Sequence, residues 1–170
     1  MASKKTKIVT PKYKIVADEE HPFFNAYHDC AYIISHDCRS TVALSEQQMQ
    51  YILDNPLRKE LVIYQIDNGL IKSTAIKCDF GIYTENDILF LVELKSPERE
   101  YAHALEQIIN TIEMLIVGKH ISVNKLNARI VSRKYPNIPT AKERKLENRL
   151  VTTHKCNLLN GAKTLKEVLS

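Results

Sequence analysis

Lys77-Cys78-Asp79-Phe80-Gly81 and, after a short polar gap, Leu91-Val92-Glu93-Leu94-Lys95-Ser96 are the segments from which the rest of the chain is read. Two strands are expected here, near 76–84 and 88–94, joined through Glu85-Asn86-Asp87. Residues two apart on a strand share a face, so Glu93 and Lys95 project together, about 6.6 Å apart, while Phe90, Val92 and Leu94 line the opposite, buried face. A hairpin centred on Asn86 sets Asp79 directly across from Glu93, whereas a slip of one residue would turn the two acids to opposite faces. Two carboxylates a few ångströms apart repel each other and hold protons unless a cation intervenes. The pairing therefore makes chemical sense as a site for a hard divalent cation, Mg²⁺ or Mn²⁺.

Outward from this hairpin the chain reads as alternating short elements. Leu61-Val62-Ile63-Tyr64-Gln65-Ile66 is apolar and β-branched, and Asp67-Asn68-Gly69 is turn chemistry, so a strand and a turn precede the hairpin. Ser45-Glu46-Gln47-Gln48 has the spacing of a capping box and predicts a helix that Pro56 ends. Ser96-Pro97-Glu98 predicts a second helix start, and Tyr101, Leu105, Ile108, Ile109, Ile112 and Ile116 then form one apolar stripe running toward Gly118. Ala128 to Ser132 reads as a strand. Thr140-Ala141-Lys142-Glu143 is another capping box, opening a basic helix that runs to Leu150 or a little further. Residues 1–12 read as a flexible basic arm and 13–170 as a single domain.

The conjunction of Asp79-Phe80-Gly81 on one strand, Glu93-Leu94-Lys95 on the next, apolar flanks on both and a capped helix after Ser96 resembles the PD-(D/E)xK nuclease superfamily, the restriction-endonuclease-like and Holliday junction resolvase-like proteins. Glu-x-Lys read alone is an ordinary exposed pair; the combination is what carries the likeness. The resemblance implies an α/β fold with a central mixed four-stranded sheet flanked by helices in αβββαβ order, over about residues 45–133. It implies Asp79 and Glu93 as metal ligands, aided by the backbone carbonyl of Leu94, with Lys95 as the catalytic cation. Two accessory roles follow from the same likeness: Glu46, on the expected first helix, as a further ligand, and Gln107, in Ala104-Leu105-Glu106-Gln107, as a catalytic-site residue. On an ideal helix Gln107 lies with His103 and Asn110 about 180° from the apolar stripe, facing solvent or substrate and not the core. Cys78 stands where the family pattern has Pro.

Composition agrees with a polyanionic partner. The chain has 170 residues, 44% apolar and 26% charged, enough for one domain with a sizeable core. Its net charge of +4 hides an asymmetry, since residues 119–155 carry ten Lys or Arg against only Glu143 and Glu147. Arg129, Arg133, Lys134, Lys142, Arg144, Lys145 and Arg149 are accordingly the candidate nucleic-acid contacts, with Lys4, Lys5, Lys7, Lys12 and Lys14 in the arm. A solvated basic face without a ligand is the plainer alternative. No membrane span or signal peptide is indicated, so a cytoplasmic protein is expected, with Cys30, Cys38, Cys78 and Cys156 as reduced thiols. His28-Asp29-Cys30 and His36-Asp37-Cys38 echo each other and are competent zinc ligands, although polar residues bracketing a short element explain them as well. The expectation is a metal-dependent endo- or exonuclease acting on nucleic acid, DNA before RNA. No base-reading module is recognised, so selectivity would come from DNA shape, a partner protein or a homodimer. The competing expectation is a non-catalytic nucleic-acid-binding or protein-interaction module that keeps the fold.

Overall fold

The computed structural model describes residues 33–67, 69–71, 74–95, 101–118, 120–134 and 136–170. In chain order the elements are β1 (Ile33–Asp37), β2 (Thr41–Glu46), β3 (Met49–Asp54), β4 (Leu61–Gln65), β5 (Phe80–Thr84), β6 (Ile88–Lys95), α1 (Tyr101–Thr111), β7 (Lys125–Ser132), α2 (Ala141–Asn148), β8 (Asn157–Ala162) and β9 (Thr164–Val168). Each helix runs on into a π-helical turn, α1 through Ile112–Val117 and α2 through Arg149–Thr153. The expected basic arm and the His28-Asp29-Cys30 triplet lie outside the described residues, as does the predicted helix start at Ser96-Pro97-Glu98. Of the second triplet, Asp37 is held by the Arg39 side chain and Cys38 is exposed with a free thiol.

Six strands form one mixed sheet in the order β1-β4-β5-β6-β7-β8, and β2-β3-β9 form a second. Neighbours are antiparallel from β1 to β6, and β6, β7 and β8 run parallel. The class is α/β as expected, but the larger sheet has six strands and not four. A β-hairpin also stands where the first helix was expected. Val42 and Leu44 on β2, and Met49, Tyr51 and Leu53 on β3, alternate buried with more exposed neighbours. That period of two outweighs the Ser45 capping pattern, because it lets both strands bury one whole face. Strands β8 and β9 were not foreseen, whereas β1 begins within the short helix or strand expected between the two His-Asp-Cys triplets and runs on into the second triplet.

The chain stacks in three layers. One face of the large sheet, with Val62, Tyr64, Tyr83, Leu89, Leu91, Ala128 and Ile130, packs under the α1 stripe and Leu150. The other face, with Ile63, Ile82, Phe90, Val92, Leu94 and Val131, packs on Val42, Tyr51 and Leu53 of the small sheet. Strand β6 is thus buried on both faces, which corrects the expectation that only Phe90, Val92 and Leu94 face a core. Full burial of a Leu, Ile or Phe side chain is worth about 1.5–3 kcal/mol, so this two-sided burial makes β6 the anchor of the site it carries. The second capping box forms as predicted: Thr140 accepts from the Glu143 backbone while the Glu143 side chain accepts from the Thr140 backbone.

Candidate active site

The β5–β6 pairing sets Phe80 opposite Val92 and Thr84 opposite Ile88, so the hairpin is centred on Asn86 and one further step brings Asp79 opposite Glu93. The turn supports this register, since Asp87 adopts a left-handed conformation (φ 56°), its N–H bonds the Thr84 carbonyl, and its carboxylate accepts from the Tyr83 hydroxyl. Asp79 lies just before β5. Its Oδ2 accepts the Leu94 N–H at 2.8 Å, and its carbonyl accepts the N–H groups of Ile66 and Asp67. Glu93 is 0% exposed, and its Oε2 has no hydrogen-bond donor among the described residues. The Lys95 ammonium stands 3.0 Å from Glu93 Oε1 as an ion pair. Leu94, between them, turns its side chain into the opposite core.

Two more acids border this pair. Glu46 is not on a helix but closes β2, half-buried, near enough for its charge to act on Asp79 and to be felt by Lys95. Asp67, read from sequence only as turn chemistry, pairs with the buried Lys77 at 3.3 Å and adds its charge to the same cluster. The signal for Asp67 was available in the β4–β5 pairing: with Gln65 opposite Phe80, the turn after Gln65 must pass Asp79. Gly69 makes that turn possible, because a Cβ there would lie 2.0 Å from the Gln65 carbonyl oxygen.

Burial is the main cause of the electrostatics. It pushes the Asp79 carboxyl up to about 7; Glu46 and Asp67 add to the rise, while the Leu94 N–H and Lys95 oppose it. Glu93 is also pushed well up, first by burial and then by Asp79, with Lys95 opposing. Glu46 is raised by burial despite Lys95. A buried and a half-buried carboxylate, the second raising the pKa of the first, would suit a hard divalent cation, which would replace the lost hydration. Among the described residues no three His, Cys, Asp or Glu side chains close a cage by themselves.

Gln107 departs from expectation. It is buried, not turned to solvent or substrate; its Nε2 donates to the Lys77 carbonyl at 2.7 Å, while its Oε1 has no partner among the described residues. An ideal helical wheel misplaces it because the chain before β5 folds up against that flank of α1.

The basic segment divides. Arg129 is 3% exposed and is no candidate for nucleic-acid contact: its guanidinium pairs with Glu167, donates to the Ala128 and Asn157 carbonyls and lies over the Phe90 ring. On α2, Lys142 pairs with Glu106 and Arg149 with Glu113, both acids of the α1 segment. Arg133, Lys134, Arg144 and Lys145 are exposed. Arg133 and Lys134 directly follow Ser132, which lies beside Lys95 in the β6–β7 pairing. Among the described residues no helix is long and apolar enough to cross a membrane. Compared with protein-family models, curated proteins and solved structures, the chain matches none.

Proposed function

We propose that this chain is a divalent-metal-dependent nuclease that hydrolyses phosphodiester bonds of nucleic acid, DNA in preference to RNA. The observation that carries the reading is the opposition of Asp79, one residue before β5, to Glu93 on β6, with Lys95 two residues on and 3.0 Å from the Glu93 carboxylate. Support comes also from the run β4, β5, β6, α1, β7, in which three antiparallel strands, a helix and a parallel strand follow one another as in the PD-(D/E)xK core.

Asp79 and Glu93 are the carboxylates that would hold Mg²⁺ or Mn²⁺, with the Leu94 carbonyl between the two β6 residues as a backbone donor and Glu46 as a neighbouring acid. The bound ion would supply Lewis acidity toward the phosphate and lower the pKa of a water. Lys95, its charge held by Glu93, would stabilise negative charge developing on the phosphoryl oxygens and orient the attacking water. Arg133 and Lys134 would grip the substrate backbone beside Lys95, and Arg144 and Lys145 would extend the grip along α2. Selectivity would come from DNA shape, a partner or a second copy of the chain.

A specific observation favours a second reading. The Glu93 side chain is wholly enclosed and Asp79 already accepts the Leu94 N–H, as in a binding module that keeps the fold without the chemistry. Incubating the protein with linear duplex, single-stranded, branched and RNA substrates, with Mg²⁺, Mn²⁺ or chelator, beside Lys95→Ala, separates the two. Metal-dependent cleavage lost in Lys95→Ala is the expected result. Retained binding with no cleavage of any substrate would favour the second reading.

A further inference from the structure

Asp79 stands outside the β5 ladder, so its carboxylate is not held in place by strand pairing alone. The backbone before it is held by α1. The Cys78 N–H donates to Thr111 Oγ1 at 2.9 Å, Thr111 Oγ1 donates to the Gln107 carbonyl at 2.7 Å, and Gln107 Nε2 donates to the Lys77 carbonyl at 2.7 Å. Thr111, Cys78 and Gln107 are all buried, so none of these bonds is easily exchanged for water. Thr111 lies one turn after Gln107, so both side chains meet the one peptide unit that joins Lys77 to Cys78. Beyond Asp79 the chain is held again, where its carbonyl takes the Ile66 and Asp67 N–H groups.

We infer that Thr111 and Gln107 are positioning residues: a two-pronged clamp on the single peptide unit joining Lys77 to Cys78, one prong on its carbonyl and one on its N–H, that aims the Asp79 carboxylate at the Leu94 N–H and across from Glu93. The clamp acts through Asp79 and touches no substrate. Its consequence for metal affinity rests on the nuclease reading, whereas its consequence for Asp79 does not. The Leu94 N–H separates the two, because its acceptor is Asp79 Oδ2 and not another strand. If the clamp aims Asp79, cutting it exposes that amide with no metal present.

The test compares wild type with Thr111→Val, Thr111→Ser, Gln107→Met and, as a control for simple loosening of α1, Ile109→Val. Gln107→Met removes the donor and also the orphaned Oε1, so it keeps a folded variant in hand if Thr111→Val does not fold. Two quantities are measured on each: hydrogen exchange of the Leu94 amide in metal-free protein, and Mn²⁺ affinity by titration. Thr111→Val and Gln107→Met are expected to speed Leu94 exchange by about tenfold. They should also weaken Mn²⁺ binding by about 10–100-fold, the usual effect of removing a residue that orients a metal ligand. Thr111→Ser should restore both, and Ile109→Val should change neither. Leu94 exchange in the folded clamp variants no faster than in Ile109→Val would overturn the inference. Faster exchange in a protein that binds no Mn²⁺ in any form would uphold the clamp and count against the nuclease reading.

Discussion

Glu93 is the residue on which sequence and energetics meet. A carboxylate at a fully enclosed position whose Oε2 has no donor among the described residues is an expensive group to ionise; Asp79 across from it adds to the cost, and the Lys95 ammonium beside Oε1 offsets only part of it. Its folded pKa lies above the ordinary carboxylate value, so the protonated form is the one the fold favours. The stability this group contributes is therefore fully present below its unfolded pKa, near 4.5, and is lost as pH rises through the raised folded value. Glu93→Gln imitates the protonated form at all pH. In chelator, its melting temperature should match wild type near pH 4.5 and exceed it by a margin that widens as the pH rises from there. Each unit between the two pKa values adds up to about 1.4 kcal/mol, which for a chain of this size is about 3–6 °C. Melting curves at a series of pH values check this, and a constant or shrinking margin would contradict the burial argument. Under the nuclease reading the same variant should cut nothing.

At the scale of elements, the β2–β3 hairpin shows where local chemistry and tertiary packing disagree. Its two-residue turn, Gln47-Gln48, has φ of 46° and 72°, a left-handed pair that Asn-Gly adopts readily and glutamine does not. The turn that sequence rules look for is therefore absent, and Ser45 with Gln48 offers a helix start in its place. The strands form because Val42, Leu44, Met49, Tyr51 and Leu53 together cover the large sheet. The strain remains in the turn, so Gln47→Asn combined with Gln48→Gly is expected to stabilise the protein by about 1 kcal/mol, read by chemical denaturation with an unchanged m-value. The β5–β6 hairpin is the opposite case. Its polar Glu85-Asn86-Asp87 loop and apolar flanks agree with the packing, and the register read from sequence is the one found.

At the scale of the whole molecule, the two sheets are tied by a buried polar network. Arg129 of β7 reaches Glu167 of β9, and Glu167 also accepts the Tyr51 hydroxyl of β3 at 2.6 Å. Arg129→Ala would leave Glu167 without its cationic partner and the Ala128 and Asn157 carbonyls without their guanidinium donor, at a cost of about 3–5 kcal/mol in denaturation experiments. Arg144→Ala, on the exposed face of α2, should stay within about 0.5 kcal/mol of wild type. If the basic rim grips DNA, the ranking reverses in binding. Arg144→Ala then lowers affinity and flattens its salt dependence, while Arg129→Ala, where folded, leaves both unchanged.

What the sequence determined by itself is local and periodic: the β4, β5, β6 and β7 strands, the Asn86-centred register, the α1 stripe, the Thr140 capping box, and with them the meeting of Asp79, Glu93 and Lys95. Each depends on side-chain alternation, turn chemistry or capping between residues near in the chain, where few alternatives compete. Only the tertiary structure decided the rest. Glu46 joins the cluster from a hairpin, Asp67 enters it from the turn facing Asp79, Gln107 turns inward onto Lys77, and Arg129 serves a layer interface instead of a ligand. These assignments depend on which faces become buried once three layers stack, a property of contacts between residues distant in sequence that no local pattern encodes.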